Sequence, residues 1–280
     1  MNFNTAYIIS YFGNPSVRGK RKSFHEKQVE WLLTQGFQIV VLANQYEPGD
    51  HLTTPGITYI NSQSLVSPGE SRNTLLKRFY ASDDDWALFA DNDAILYDDK
   101  QHGIGATFKA SLTQALFDPG ASHLDLVAPI NPAAAPITAK IAAAGNTIVF
   151  EKASTLKGSM FVLRNLQKDY GKPIYMSAAY NTSATGGILG GEDGHFILEM
   201  IEAGYGTYNC VNMVLHELDA KANYSTWSPS MEHRKTQKQA MHRAWFNAFK
   251  NSGMTLKPDG AVDRKSFLAQ RWSSPNKVII

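Results

Sequence analysis

A chain of 280 residues with 43% hydrophobic content is long enough for one large domain or two small ones sharing a core, and it is no disordered tail. One cysteine, Cys210, excludes an internal disulfide framework and a cysteine-rich zinc site, and reads as a buried small hydrophobe. The formal charge of +2 conceals an asymmetry, because residues 221–280 hold 11 Lys and Arg against 3 acids while residues 1–220 hold 16 against 22.

In chain order, the apolar run Ala6, Tyr7, Ile8, Ile9 predicts a first buried strand over residues 5–11. A loop rich in Gly, Pro and basic residues, 13–22, leads to a predicted helix over 23–35, with Phe24, Val29, Leu32 and Leu33 on one side and Gly36 as its stop. Residues 37–44 and 57–60 read as second and third strands. Strand, helix, strand alternation predicts parallel pairing through crossover helices, a layered α/β architecture. Ser67 and Pro68 then open a helix whose Leu75, Leu76 and Phe79 face inward.

Past Asp83, Asp84 and Asp85 comes the most informative stretch, residues 86–93. The apolar run Trp86, Ala87, Leu88, Phe89, Ala90 ends in Asp91, Asn92, Asp93, as a buried strand does when its C-terminal end opens into a site. Side chains alternate along a strand, so Asp91 and Asp93 are expected to point the same way and to share one divalent cation or its water shell. A solvated turn is the plain alternative.

A helix over 107–117 and strands over 124–130, 147–152 and 158–163 are predicted next. The Ala- and Pro-rich segment 129–145 reads as a mobile loop near the site or a short helix at 137–144. Residues 185–195 place five glycines around Glu192 and Asp193, which suits close backbone approach to a ligand. A helix follows to Gly204, with Phe196, Ile197, Met200 and Ile201 at helical spacing. Acids in a first helical turn are also favoured by the helix dipole alone. A run over 211–215 ends in His216 and Glu217.

The Arg72-Asn73 pair, the acidic turn and the strand ending in Asp-x-Asp together resemble the nucleotide-sugar half of GT-A-fold, metal-dependent inverting glycosyltransferases. The resemblance covers about residues 5–217. It implies a Rossmann-type nucleotide-sugar-binding sheet flanked by helices, with a smaller acceptor-side mixed sheet. Arg72, Asn73, Asp91 and Asn92 would hold the nucleotide, and Asp91, Asp93 and His216 would ligate Mn2+ or Mg2+. Asp193 would be the base, with Glu192 orienting the acceptor or exchanging roles with it. The implied donor is a nucleotide sugar, with UDP the expected nucleotide.

The domain expectation is a catalytic domain over 1–220, its donor half about 1–100 and acceptor half about 101–220, with a basic helical extension over 221–280 packed on it. In that extension Met241, Ala244, Trp245, Ala248 and Phe249 share one face of a helix over 232–250. Arg234, Lys235, Lys238, Arg243, Lys257, Arg264, Lys265, Arg271 and Lys277 supply charge beside Trp245 and Trp272. Basic residues interleaved with Trp suit a phosphate backbone and unstacked bases, so a DNA acceptor carrying hydroxymethylated bases, as some bacteriophage enzymes modify, is one expectation. A saccharide or lipid-linked glycan is another. No run approaches the roughly 18 apolar residues of a membrane span, and the first residues lack the basic-then-apolar order of a secretory leader, so cytoplasmic residence is expected. A haloacid-dehalogenase-like phosphohydrolase, using Asp91 as nucleophile and Asp93 as acid, is the rival class. A non-catalytic nucleic-acid-binding protein explains neither acidic pair.

Overall fold

Strand β1 (Thr5–Tyr11) pairs in parallel with β2 (Gln38–Asn44), and the crossover between them is helix α1 (Arg18–Thr34). Strand β3 (Ile57–Ser62) adds outside β2, and α2 (Pro68–Tyr80) leads back so that β4 (Trp86–Asp91) pairs on the far side of β1. The order β3-β2-β1-β4 reverses between β1 and β4. In parallel α/β sheets the crevice outside the strand C-termini at such a reversal is where ligands bind, and Asp91 ends β4 there.

The computed structural model describes residues 2–12, 18–62, 66–97, 103–130, 147–153, 158–180, 191–218, 231–271 and 277–280, without the side chains of 231–235, 237 and 277. Most of the expected loop over 129–145, the glycines at 186, 187 and 190, Trp272 and the side chains of Arg234, Lys235 and Lys277 therefore lie outside the described residues.

Beyond β4 come β5 (Ala94–Leu96), α3 (Phe108–Leu116), β6 (Leu126–Ile130), β7 (Val149–Lys152), β8 (Met160–Arg164) and α4 (Leu166–Tyr170). Then follow α5 (Glu192–Glu202), β9 (Thr207–Glu217), α6 (Met231–Phe249), a small hairpin of β10 (Thr255–Leu256) and β11 (Val262–Asp263), α7 (Lys265–Arg271) and β12 (Lys277–Ile279). The main sheet runs β12-β7-β9-β6-β8-β4-β1-β2-β3, with β5 pairing β9. β8 is antiparallel to β4, so the sheet turns from parallel to mixed there.

Alternation along the strands divides the core in two. Ala6 and Ile8 of β1 and Leu88 and Ala90 of β4 face α1 and α3, where Val29, Leu32, Phe108 and Leu112 meet them. Tyr7, Ala87 and Phe89 face the other way, onto Leu75, Leu76 and Phe79 of α2 and Phe196 and Ile197 of α5. On that side Tyr7, Phe89 and Phe161 stack across three neighbouring strands, with centroids 5.2 and 5.1 Å apart. Burying each such side chain contributes about 1.5–3 kcal/mol.

Local signals explain the helix ends. Ser67 Oγ accepts from the Glu70 N–H at 3.1 Å and Glu70 Oε2 accepts from the Ser67 N–H at 3.0 Å, a reciprocal cap at the start of α2. Gly36, at φ 74°, ends α1 as expected. The start of α1 differs from expectation: it begins at Arg18, inside the basic stretch read as loop. Its first turn holds cations that the helix dipole disfavours, and tertiary contacts offset this, Arg18 pairing with Asp50 and Glu47.

The C-terminal sixty residues are woven into the molecule. β12 is an edge strand of the main sheet, antiparallel to β7, and Trp245, Phe249 and Phe267 belong to the core on the α2 and α5 side. Among the described residues no helix is long and apolar enough to cross a membrane.

Candidate active site

Alternation carries Asp91 to the same sheet face as Ala87 and Phe89, toward α2 and α5, and there it meets Arg72. Arg72 Nη2 donates to Asp91 Oδ1 at 3.1 Å, and Nη1 donates to Glu192 Oε1 at 2.6 Å, across 120 residues of sequence. The same guanidinium donates to the Gly158 carbonyl at 2.5 Å. Arg72 is buried, and so is Glu192, but the Asp91 side chain keeps 39% of its surface exposed at the strand end. Arg72 thus joins the donor-side strand end to the head of α5.

Burial pushes the Glu192 carboxyl up to about 7, with Arg72 pulling down and Asp193 pushing up. Asp91 is also raised, by desolvation first, against the opposing charges of Arg72 and Arg21. Asp193 is half-buried in the first turn of α5 and accepts the Gly194 N–H at 2.8 Å. It packs so closely on Gly158 that a Cβ there would come within 2.7 Å of its Cγ. Gly158 is a site residue that sequence reading missed, since its role is to leave space for Asp193 and offer a carbonyl to Arg72.

The glycines beside the acidic pair do something other than admit a ligand. A Cβ at Gly191 would fall 2.5 Å from Met241 Cγ, and one at Gly194 2.6 Å from Trp245 Cη2. Their missing side chains let α6 cover the head of α5. Trp245 Nε1 donates to Tyr180 Oη at 2.8 Å, and Tyr180 Oη lies 3.2 Å from His195 Nδ1. Buried in this way, Trp245 has no free face for a nucleobase.

The expectation that Asp91 and Asp93 leave one strand side by side is corrected: β4 ends at Asp91, and Asn92 and Asp93 form a tight turn into β5. Asn92 faces α1 and β1, where its contacts lie. It is 2% exposed, accepts from Arg21 Nη1 at 3.0 Å and donates to Ser10 Oγ at 3.0 Å, so it scaffolds the turn from behind. Asn73 is likewise occupied, donating to the Met176 carbonyl at 2.9 Å and accepting the Met176 N–H at 2.7 Å. That amide holds the chain after β8 against α2.

His216 departs further from expectation. In the β5·β9 ladder it sits opposite Ile95, stacked on Tyr97 with centroids 4.5 Å apart, and its pKa is lowered by burial and then by Lys27. Among the described residues no three His, Cys, Asp or Glu side chains stand assembled as a metal cage. Side chains alternate along β9, and the residue tied to the Asp91 end is Glu217. It accepts from Ser159 Oγ at 2.7 Å, while the Ser159 carbonyl accepts the Asp91 N–H at 2.8 Å. A cation that rides on a diphosphate needs only one or two protein carboxylates, the rest of its shell being phosphate oxygens and water. Asp91 and Asp93, hard oxygen donors with Asp91 partly exposed at the strand end, fit that smaller demand.

Behind the turn, His25 of α1 is fully buried among Phe12 and Tyr46, with neither ring nitrogen hydrogen-bonded. Burial pushes its pKa from the ordinary 6.5 down to about 4. Because the folded value is depressed, the unfolded chain takes the proton first, and stability present above pH 6.5 is lost as pH falls toward 4, by about 3 kcal/mol. In urea titrations from pH 7 to 4, a His25→Phe protein is expected to lose correspondingly less stability than the parent. Equal losses in both would remove His25 as the cause.

The sheet order, the crevice at its reversal and the helices on both faces define a GT-A-like nucleotide-sugar transferase fold. Among solved structures the chain is similar to GalNAc-T7 with UDP, GalNAc and Mn2+, at 9% identity and TM-score 0.50, over 89% of this chain and 50% of that one. It is also similar to S. aureus TarS 1-349 in complex with UDP-GlcNAc, at 13% identity and TM-score 0.50, over 88% and 67%. The chain therefore spans half of the first structure and about two thirds of the second. At such identities the likeness is one of fold. No family model matches the sequence, and no curated protein matches it. The phosphohydrolase alternative needs Asp91 as a free nucleophile on a first core strand, whereas Asp91 is bound to Arg72 and ends the fourth strand.

Proposed function

We propose that this chain is a glycosyltransferase that takes a sugar from a nucleotide donor, a UDP-sugar, and passes it to an acceptor hydroxyl with inversion. The observation that carries the reading is the Asp91–Arg72–Glu192 bridge, because it sets a strand-end donor crevice and an acidic helix head on one guanidinium. In the proposed reaction the acceptor oxygen attacks the anomeric carbon from the face opposite the diphosphate. Its proton goes to the Asp193 carboxylate, and the electron pair of the breaking bond leaves with the diphosphate oxygen. Arg72 orients Asp91 toward the donor and keeps Glu192 out of reach of the acceptor. Mn2+ or Mg2+, held by Asp91 and Asp93, would supply charge stabilisation to the departing diphosphate when bound.

Release of free nucleotide from a panel of UDP-, GDP-, ADP-, CDP- and TDP-sugars, with Mn2+, Mg2+ or EDTA, tests the reading. One donor is expected to be turned over and chelation to suppress it. A panel with no turnover on any acceptor would remove the activity, and turnover indifferent to EDTA would remove the cation.

For the acceptor we propose hydroxymethylated DNA. What favours a polyanion is the charge on the C-terminal segment: Lys238, Lys257 and Arg264 all act on His242, one residue from Met241, which covers the head of α5. Asp259 opposes them in the same patch. Phosphate-backbone binding predicts a steep loss of DNA affinity between low and moderate salt. Transfer to a neutral saccharide or a lipid-linked glycan, with salt-insensitive kinetics, would replace DNA as the acceptor.

A further inference from the structure

One buried side chain on α1 holds both ends of the acidic turn. Gln28 is 0% exposed, and its amide nitrogen donates to the Asp91 carbonyl at 2.5 Å and to the Ala94 carbonyl at 2.6 Å. Those carbonyls bracket Asn92 and Asp93. One turn and three residues earlier on the helix, Arg21 donates to Asn92, whose own amide reaches Ser10 and through it Tyr46. Positions 21, 25 and 28 share one face of a helix, so α1 presents a polar seat to the back of the turn while Asp91 looks out of its front.

This arrangement is unlike ordinary core packing. A turn between two short strand segments satisfies few of its own carbonyls, and a buried carbonyl without a donor costs about 1–3 kcal/mol. Gln28 supplies both donors from a rigid helix that crosses between β1 and β2. The carboxylates must be held to within about half an ångström for a ligand to use them. Neither oxygen of Asp91 nor of Asp93 is touched by Gln28, so its influence is on where they stand.

We propose that Gln28 is the positioning residue of the donor site: its two hydrogen bonds fix the Asp91–Ala94 turn in the conformation that receives a nucleoside diphosphate. The proposal rests on the donor reading above. It assigns a function to the middle of α1, far in sequence from the motif it serves.

The test uses the full chain, UDP with Mn2+ as the probe, and two variants. Gln28→Met keeps the volume and loses both donors. Gln28→Asn, one methylene shorter, keeps a polar amide that reaches neither carbonyl well and covers the case in which the first variant does not fold. As a control, Asn165→Leu removes another buried amide, which donates to the Phe79 and Asp84 carbonyls away from the crevice. The Gln28 variant is expected to weaken UDP binding in calorimetry by tenfold or more, and to speed amide hydrogen exchange over residues 91–96. Asn165→Leu is expected to lose comparable thermal stability with UDP affinity kept. Parent-like UDP affinity in a folded Gln28 variant would overturn the proposal alone. If the parent protein binds no nucleoside diphosphate from UDP, GDP, ADP or CDP, the donor reading falls and the proposal with it.

Discussion

An Asp193→Asn protein is expected to lose about 10² to 10⁴ in transfer rate while binding nucleoside diphosphate as the parent does. The two acids at the head of α5 are adjacent in sequence, yet their surroundings separate their roles. Glu192 is enclosed, bound by the Arg72 guanidinium at 2.6 Å, and its pKa near 7 follows from burial. A carboxylate buried and paired that way is poorly exposed to an incoming acceptor hydroxyl. Asp193 is half-buried, faces Gly158 and sits in the first turn of α5. The measurement is single-turnover transfer with saturating donor, alongside calorimetric binding of the nucleotide. Parent-like turnover in Asp193→Asn, with loss in Glu192→Gln, would exchange the two roles.

The second large effect is expected at Arg72. Arg72→Met leaves Glu192 buried without its partner, and breaking a buried ion pair from one side costs about 3–5 kcal/mol. Part of that loss is relieved because Glu192 can take up a proton. The sign follows from its raised pKa: stability linked to Glu192 is fully present below the ordinary carboxyl value of 4.5 and is lost as pH rises through the folded value, about 7 with Arg72 in place. Without Arg72 the folded value moves higher, so the deficit of Arg72→Met against the parent should be larger at pH 8 than at pH 5.5 in urea unfolding. Adding Glu192→Gln should restore much of the pH 8 loss. A deficit equal at both pH values would mean that Glu192 does not sense Arg72 as its main partner. Donor binding should fall as well, because Asp91 loses the group that orients it.

The opposite signs of His25 and Glu192 have a practical consequence. His25 makes the fold less stable as pH falls below 6.5, and Glu192 makes it less stable as pH rises above 4.5. Between those values the two trends oppose each other, so each is best read from its own variant.

Much of the donor half was legible from local pattern. The runs at Ala6–Ile9 and Trp86–Ala90, the Ser67 cap and the Gly36 stop each depend on neighbours within one turn or one strand, and all were found where expected. Trp245 and Phe249, placed on one apolar face by their spacing along α6, share a core cluster with residues of α2 and α5. What failed was every inference that extended a local rule across a break. Alternation was carried past Asp91 although the strand ends there, and of the five glycines read for a ligand, Gly191 and Gly194 leave space that Met241 and Trp245 of α6 fill. His216, assigned by relative position, stacks on Tyr97 in the β5·β9 ladder, and its neighbour Glu217 is the residue tied through Ser159 to the Asp91 end.

The sequence by itself determined the order of the longer strands and helices, the acidic strand end and the acidic head of α5, because hydrophobic period and capping chemistry act over a few residues, whereas short elements such as β5 and β12 left no such trace. Only the tertiary structure decided that Arg72 joins Asp91 to Glu192, that Gln28 grips the turn from behind and that β12 closes one edge of the sheet. The physical reason is separation along the chain. Those contacts span 19 to 120 residues or more, and a hydrogen bond or ion pair across such a distance leaves no periodic trace in the residues that make it.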